Sequence, residues 1–357
     1  MSELEHWQGA LAVTGIGLVT PVGLSAPASL AALRAGISRI GDLPGFSILN
    51  AAGEPQPITG AQVPRVPANR QGPARLARLA AQALREAAAQ ARLSRQQRCA
   101  VFLGAPAPHP GRRVLPFAPV LQAEIEAVLA GIAQPAGVRL IETGRAAGLQ
   151  ALRTAARELS AADSRLDAVL VGSVDSLIST LTLGSLQAQG RLREGPKSTG
   201  ILPGEAAGFL VLERLETARR RGAPVAAILE AAAGATETVP LGKPTRAVVL
   251  GKVMRALAPQ VTVPMPLVIS DLNGERFRAF EWMFASSRTP YCHAGMRHWR
   301  PAQGIGDAGA GASAVSSAWA VVALARGYAG TTQALVWGAS DEGAREAALF
   351  KQANGAI

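Results

Sequence analysis

The chain has 357 residues, of which 48% are hydrophobic and 17% charged, with a formal net charge of +11. This balance excludes a disordered chain, and the length allows a large buried core. No apolar run is long enough to span a bilayer, and the short polar start, residues 1–8, does not read as a secretory signal, so the cytoplasm is the expected compartment and no membrane partner is expected.

Only 4% of residues are aromatic, so packing is expected to rest on Ala, Gly and Leu. Most of the positive charge is Arg; Lys occurs only at 197, 243, 252 and 351. That excess suits either an acidic partner or solvated helix faces, and the second reading is preferred. The run Arg219, Arg220, Arg221 reads as a helix C-terminus, where cations suit the dipole. No aromatic-plus-basic stripe accompanies the charge, so no nucleic-acid partner is expected. Cys99 and Cys292 give no disulfide framework, and Cys292 beside His293 is too small a set for a metal. No metal and no cofactor is expected.

Residues 10–19 read as a buried strand leading into a turn at 20–23, followed by a helix over 26–35. Residues 37–72, rich in Pro and Gly, read as an irregular surface excursion. An amphipathic helix is expected over 73–93, a strand over 99–104, a Pro-rich loop over 105–120 and a short helix over 121–131. Then comes Thr-Gly-Arg-Ala-Ala-Gly at 143–148, a helix to about 161 and a strand at 168–172. A similar unit follows later: Gly-Ile-Gly-Asp-Ala-Gly-Ala-Gly at 304–311, a small-residue helix to about 326 and a strand at 334–338. A second half, 223–357, therefore repeats the plan of the first, 1–222, and its opening strand is expected at 224–229. Alternating strands and helices imply mostly parallel sheets with the two repeated helices buried between them.

Several of these segments resemble the β-ketoacyl synthase family of the thiolase superfamily. Residues 13–23, Val-Thr-Gly-Ile-Gly-Leu-Val-Thr-Pro-Val-Gly, are similar to its opening strand and turn. Residues 202–213, Leu-Pro-Gly-Glu-Ala-Ala-Gly-Phe-Leu-Val-Leu-Glu, are similar to its mid-chain motif, and the motif at 306–311 to its C-terminal glycine motif. The resemblance runs in order along essentially the whole chain. It implies a five-layered αβαβα fold of two similar halves, usually a homodimer. The stretch before Ile141, which in the family helps to enclose the acyl pocket and the dimer face, looks shortened.

The family's chemistry needs a thiolate at a helix N-terminus, where the backbone depresses its pKa, and two histidines from the second half. Counted back from Gly148, the nucleophile position holds Arg145, which cannot attack a thioester. Aligned on Gly274, the first histidine position holds Asp271; the second, after Gly306, holds Asp307. The family's lysine falls near Ala302, and an expected Asn near the C-terminus is Arg345, beyond Ser-Asp-Glu-Gly at 340–343. One positive and two negative charges thus arrive at three convergent positions. Arg145 is expected to pair with Asp307, Asp271 or both. The four histidines, at 6, 109, 293 and 298, are expected to be structural or exposed.

Residues 271–282 concentrate Asp271, Asn273, Glu275, Arg276, Arg278 and Trp282. Asn273, Glu275, Arg276 and Arg278 are candidates for binding a ligand or partner; the plainer reading is a loop and an amphipathic helix with local contacts such as Arg278–Glu281 or Arg278–Trp282. The resemblance implies a non-catalytic accessory, paired with itself or with another thiolase-fold chain, with an acidic carrier protein, or with a secretion-related protein of the kind found beside bacterial type VI effectors. The alternative is an enzyme or acyl-ligand binder using Asp271, Asp307 and Arg145 in a remodelled pocket.

Overall fold

A computed structural model describes residues 3–49, 53–66, 71–108, 117–194, 198–243, 245–264, 266–293 and 295–353. Among the described residues the strands are β1 (Glu5–Val19), β2 (Gly41–Leu49), β3 (Pro55–Gly60), β4 (Arg98–Gly104), β5 (Gln134–Ile141), β6 (Ala168–Ser176), β7 (Glu205–Arg214), β8 (Ala227–Thr236), β9 (Leu267–Ser270), β10 (His298–Trp299), β11 (Gln333–Ala339) and β12 (Ala344–Gln352). The helices are α1 (Ala26–Arg34), α2 (Pro73–Gln90), α3 (Phe117–Ile132), α4 (Ala147–Ser160), α5 (Thr180–Ala188), α6 (Leu215–Arg220), α7 (Val248–Ala256), α8 (Arg276–Ser286), α9 (Ala302–Ile305) and α10 (Gly311–Ala325).

Ten strands pair in the order β10-β9-β11-β12-β8-β1-β7-β6-β4-β5. β1 joins the two groups of five: residues 5–13 pair with β8 and residues 11–19 with β7, with register shifts between Gln8 and Leu11 and between Val13 and Gly15. Such bulges bend a strand, which lets the sheet turn around the helices it encloses. α4 and α10 touch strands of both groups, α2 and α3 cover the first group, and α7 covers the second with α8 beside it. The layers therefore run αβαβα.

The sequence explains this stacking. α10 is built almost wholly of Ala, Val, Ser and Gly and is buried along nearly its whole length, as a helix between two sheets must be. α2 lies so close on β1 that a Cβ at Gly17 would stand 2.0 Å from the Ala83 carbonyl oxygen. α1 starts at Ser25, whose hydroxyl accepts from the Ala28 N–H. α6 ends in Arg219 and Arg220, and Arg221 turns back onto Glu213 at 2.6 Å and onto the Ala91 carbonyl at 2.7 Å.

Some expectations need correction. Residues 37–72 are not wholly irregular: β2 and β3 form a two-stranded hairpin. Within 105–120, residues 109–116, with His109, lie outside the described residues, and the helix expected at 121 already begins at Phe117. The strand expected at 10–19 begins already at Glu5 and so takes in His6, whose backbone pairs with Ala233 of β8. The strand expected at 224–229 runs instead from Ala227 to Thr236. Cys99 is buried in β4, where burial pushes its thiol up to about 12; Cys292 is half-buried and also pushed up to about 12 by burial.

A buried ion network as the candidate functional site

The turn Gly144–Ala146 leads directly into α4, and Arg145 sits in it, buried. Gly148 is required there because a Cβ would stand 2.7 Å from both Ser173 Oγ and Ser313 Cβ, atoms of β6 and α10. The turn is thus pressed against the second half. The Ser313 hydroxyl donates to the Arg145 carbonyl at 2.6 Å, and the Ala146 N–H donates to Ser340 Oγ at 2.9 Å.

The Arg145 guanidinium bonds Asp307 directly and lies 3.7 Å from Asp341. Asp307 is fixed by its own backbone: its N–H donates to the Leu202 carbonyl at 2.7 Å, and its carbonyl accepts from the Gly204 N–H at 2.8 Å. The conspicuous mid-chain motif therefore positions this carboxylate. The Asp307 carboxylate also accepts from the Gly309 N–H at 2.9 Å and from the Asn273 amide at 2.6 Å.

From there the network spreads. The Asn273 amide bonds Glu275 at 3.0 Å. Arg191 grips Glu275 with two bonds, 2.7 and 2.9 Å, and reaches Asp341 at 2.8 Å. Arg278 binds Glu275 at 3.2 Å and also bonds Asp341 and the Ala339 carbonyl. Three guanidiniums thus meet three carboxylates, each arginine on more than one acceptor. Burial pushes the Glu275 carboxyl up, but the hydrogen bonds from Arg191 and the charges of Arg278, Arg145 and Arg191 outweigh it and leave it at about 2. The Asp341 carboxyl is likewise held well below its usual range: burial raises it, but Arg278, Arg145 and Arg191 prevail.

Asp271 behaves differently. It makes no ion pair with Arg145; its Oδ2 accepts from the Ala339 N–H at 3.0 Å, and its other oxygen has no hydrogen-bond partner. Burial raises its pKa despite the nearby Arg278 charge, favouring the neutral acid. Of the two alternatives for Arg145, the geometry takes Asp307. Asp271 stands outside the ion pairs, so the three guanidiniums are matched by Asp307, Glu275 and Asp341.

The expected local contacts of Arg278 are replaced. It turns inward to Glu275 and Asp341, while Glu281 takes Arg345 at 2.6 Å. Trp282 stacks on Trp337 at 5.1 Å and leaves Arg278 to lie 5.2 Å from the Phe277 ring. Among the binding candidates, Asn273, Glu275 and Arg278 are buried in the network and only Arg276 is exposed. His298 bonds Ser270 Oγ at 2.7 Å, and burial with the Arg300 charge lowers its pKa to about 4, so it is neutral. Sequence reasoning missed Arg191, which follows α5 in a segment without a motif. Asp341 could have been found, since it is a new charge in the quoted 340–343 loop.

Beside Arg145 lies a cavity of about 70 Å³ lined by Arg145, Arg191, Asp341, Thr182, Ser185 and Gln189. It has room for a few waters and is well below the roughly 300 Å³ at which ligand pockets begin. Among the described residues no group of three or more His, Cys, Asp or Glu could hold a metal ion.

Comparison with known proteins places these observations. The family model for the β-ketoacyl synthase N-terminal domain matches residues 9–218. The chain belongs to the β-ketoacyl synthase family. Its fold is shared by a ketosynthase solved with its type II polyketide synthase acyl-carrier protein, AntDE:AntF (TM-score 0.82, 17% identity, covering 98% of this chain and all of that one). It is shared by the ketosynthase from module 6 of the bacillaene synthase of Bacillus subtilis 168 (TM-score 0.80, 16% identity, 97% of this chain and 72% of that one). The ishigamide ketosynthase/chain length factor is similar too (TM-score 0.77, 19% identity, 98% and 100%). Curated protein sequences give no match. No helix among the described residues is long and apolar enough to cross a membrane.

Proposed function

We propose that this chain makes no carbon–carbon bond itself and acts by associating with a second thiolase-fold chain, a copy of itself or an active ketosynthase. The observation that carries the first part is the Arg145–Asp307 contact: the turn that opens α4 presents a guanidinium locked into a neutralised network, with no nucleophile. The second part rests on β5, which ends the sheet order and, among the described residues, pairs only with β4. An unpaired edge invites another strand, and a two-fold partner would continue the sheet. The neighbour named as a ketosynthase/chain length factor fits this reading. The chain is read as two halves, 1–222 and 223–357. The alternative, an enzyme or acyl binder using Asp271, Asp307 and Arg145, has against it the 70 Å³ cavity and the engagement of all three side chains. Carrier-pathway and secretion-accessory roles differ in the partner they require, which is what a test must recover.

Two measurements test the proposal. Given acyl and malonyl thioesters on a carrier protein, the chain is expected to release no carbon dioxide and form no ketone; turnover above the uncatalysed rate would overturn the non-catalytic reading. Light scattering is expected to give a dimer, alone or with a ketosynthase. A monomer under both conditions would sink the partner reading.

A further inference from the structure

Helix α8 is built inside out. A helix packed on a protein ordinarily turns its apolar residues inward. α8 buries Arg278 and Glu281 to 2% and 1% exposure and presents Phe280, Met283 and Phe284 at 54%, 48% and 38%. The cause is the ion network. The inward positions are committed to Arg278, bound to Glu275 and Asp341, and to Glu281, bound to Arg345. Phe280 and Phe284 are left outside, while Trp282 packs on Trp337. Phe277, Phe280 and Phe284 fall at i, i+3 and i+7, one stripe along the helix, with Met283 beside it. The chain has only eight phenylalanines, and three are on this helix. Val248, the first residue of the adjoining α7, is also exposed.

The surroundings carry one sign of charge. Between residues 238 and 300 the only carboxylates are Asp271, Glu275 and Glu281, all buried. The exposed charges there are Lys243, Arg246, Arg255, Arg276, Arg288, Arg297 and Arg300. Arg288 lies 6.0 Å over the Phe284 ring and donates to the Arg246 carbonyl at 2.7 Å, so cations border the stripe itself.

We propose that this face of α8 is the docking site for an acidic amphipathic helix of a partner protein. The partner's apolar residues, at helical spacing, cover Phe280 and Phe284, and its flanking Asp and Glu meet Arg276, Arg288 and Arg246. Met283 gives the contact an adaptable surface. A protein partner is favoured over a lipid surface because Arg288 is held at the level of the Phe284 ring. Insertion of that ring among acyl chains would carry the charge below the headgroups. The site is separate from β5, which lies at the far end of the sheet order from the strands nearest α8, so its failure and that of the edge-strand reading are independent.

The test uses a fluorescent helical peptide of about five turns, with Leu at helical spacing and Glu elsewhere, and a twin carrying Lys for Glu. Fluorescence anisotropy with the full chain is expected to show saturable binding of the Glu peptide only, weakened by salt. Phe280→Ala and Phe284→Ala should each weaken it about tenfold or more, while circular-dichroism melts and dimer mass stay as in the parent. Equal binding of the Lys twin, binding indifferent to both Phe variants, or no saturable binding would overturn the proposal. So would co-sedimentation with phosphatidylcholine–phosphatidylglycerol vesicles that both Phe variants abolish, without peptide binding, which would assign the face to lipid.

Discussion

Helices α4 and α10 enter the middle layer through similar glycine-rich turns but carry opposite charges at their entrances. At α10 the carboxylate of Asp307 accepts from the Gly309 N–H, and Asp175 accepts from the Ala310 N–H. Both anions suit the positive end of the helix dipole. At α4 the entrance holds Arg145, whose charge opposes that dipole. Asp307 therefore serves two helices at once, bonding the turn that leads into its own and neutralising its neighbour's charge. A charge that is unfavourable where it stands can be held when the opposing anion is already fixed by backbone bonds elsewhere.

The sharpest way to break this arrangement is Arg145→Ala, which strands Asp307 beside Glu275 and Asp341. Urea unfolding should show a loss of about 3–5 kcal/mol. The double change Arg145→Met with Asp307→Met removes both charges and should lose clearly less than Arg145→Ala alone, a coupling that a double-mutant cycle measures. Next comes pH. Glu275 has its folded pKa lowered from 4.5 to about 2, so its contribution is fully present above about pH 4.5 and fades as the pH falls toward 2. The loss across that window should be about 3 kcal/mol, and Glu275→Gln should flatten it. Ser313→Ala, which frees the Arg145 carbonyl, should lose about 1 kcal/mol. The smallest effect belongs to Asp271→Asn. The raised pKa of Asp271 has the opposite sign, lowering stability as pH climbs above the ordinary carboxyl value. The Asn variant should stay within about 1 kcal/mol of the parent and lack that decline.

That Arg145 would meet an aspartate was legible in the sequence because Arg145, Asp271 and Asp307 stand at countable offsets from glycines, but the choice of Asp307 over Asp271 was not. The role of Asp271 was not legible: its place could be counted from Gly274, but its proton depends on burial and on a single backbone donor at Ala339. The layered fold could be read from the two repeated units, yet several strands escaped, β5 and β12 among them. β5 contains Pro135 and Gly137, which read as loop, and β12 has charged ends around an Ala-rich centre. Their neighbours β4, β8 and β11 impose the strand, and tertiary pairing outweighs local preference.

The burial of α10 bears on how the chain is made. The first five strands of the sheet are complete at Arg214, but α10, which shares the cover of their inner face with α4, spans Gly311–Ala325. At ribosomal speeds of roughly 5–20 residues per second, the nascent chain waits about 5–20 seconds for it. During that interval α2 and α4 already pack on β1, β6 and β7, but the part of their inner faces that α10 covers stays open, so the newborn first half is the stage at which a chaperone matters most.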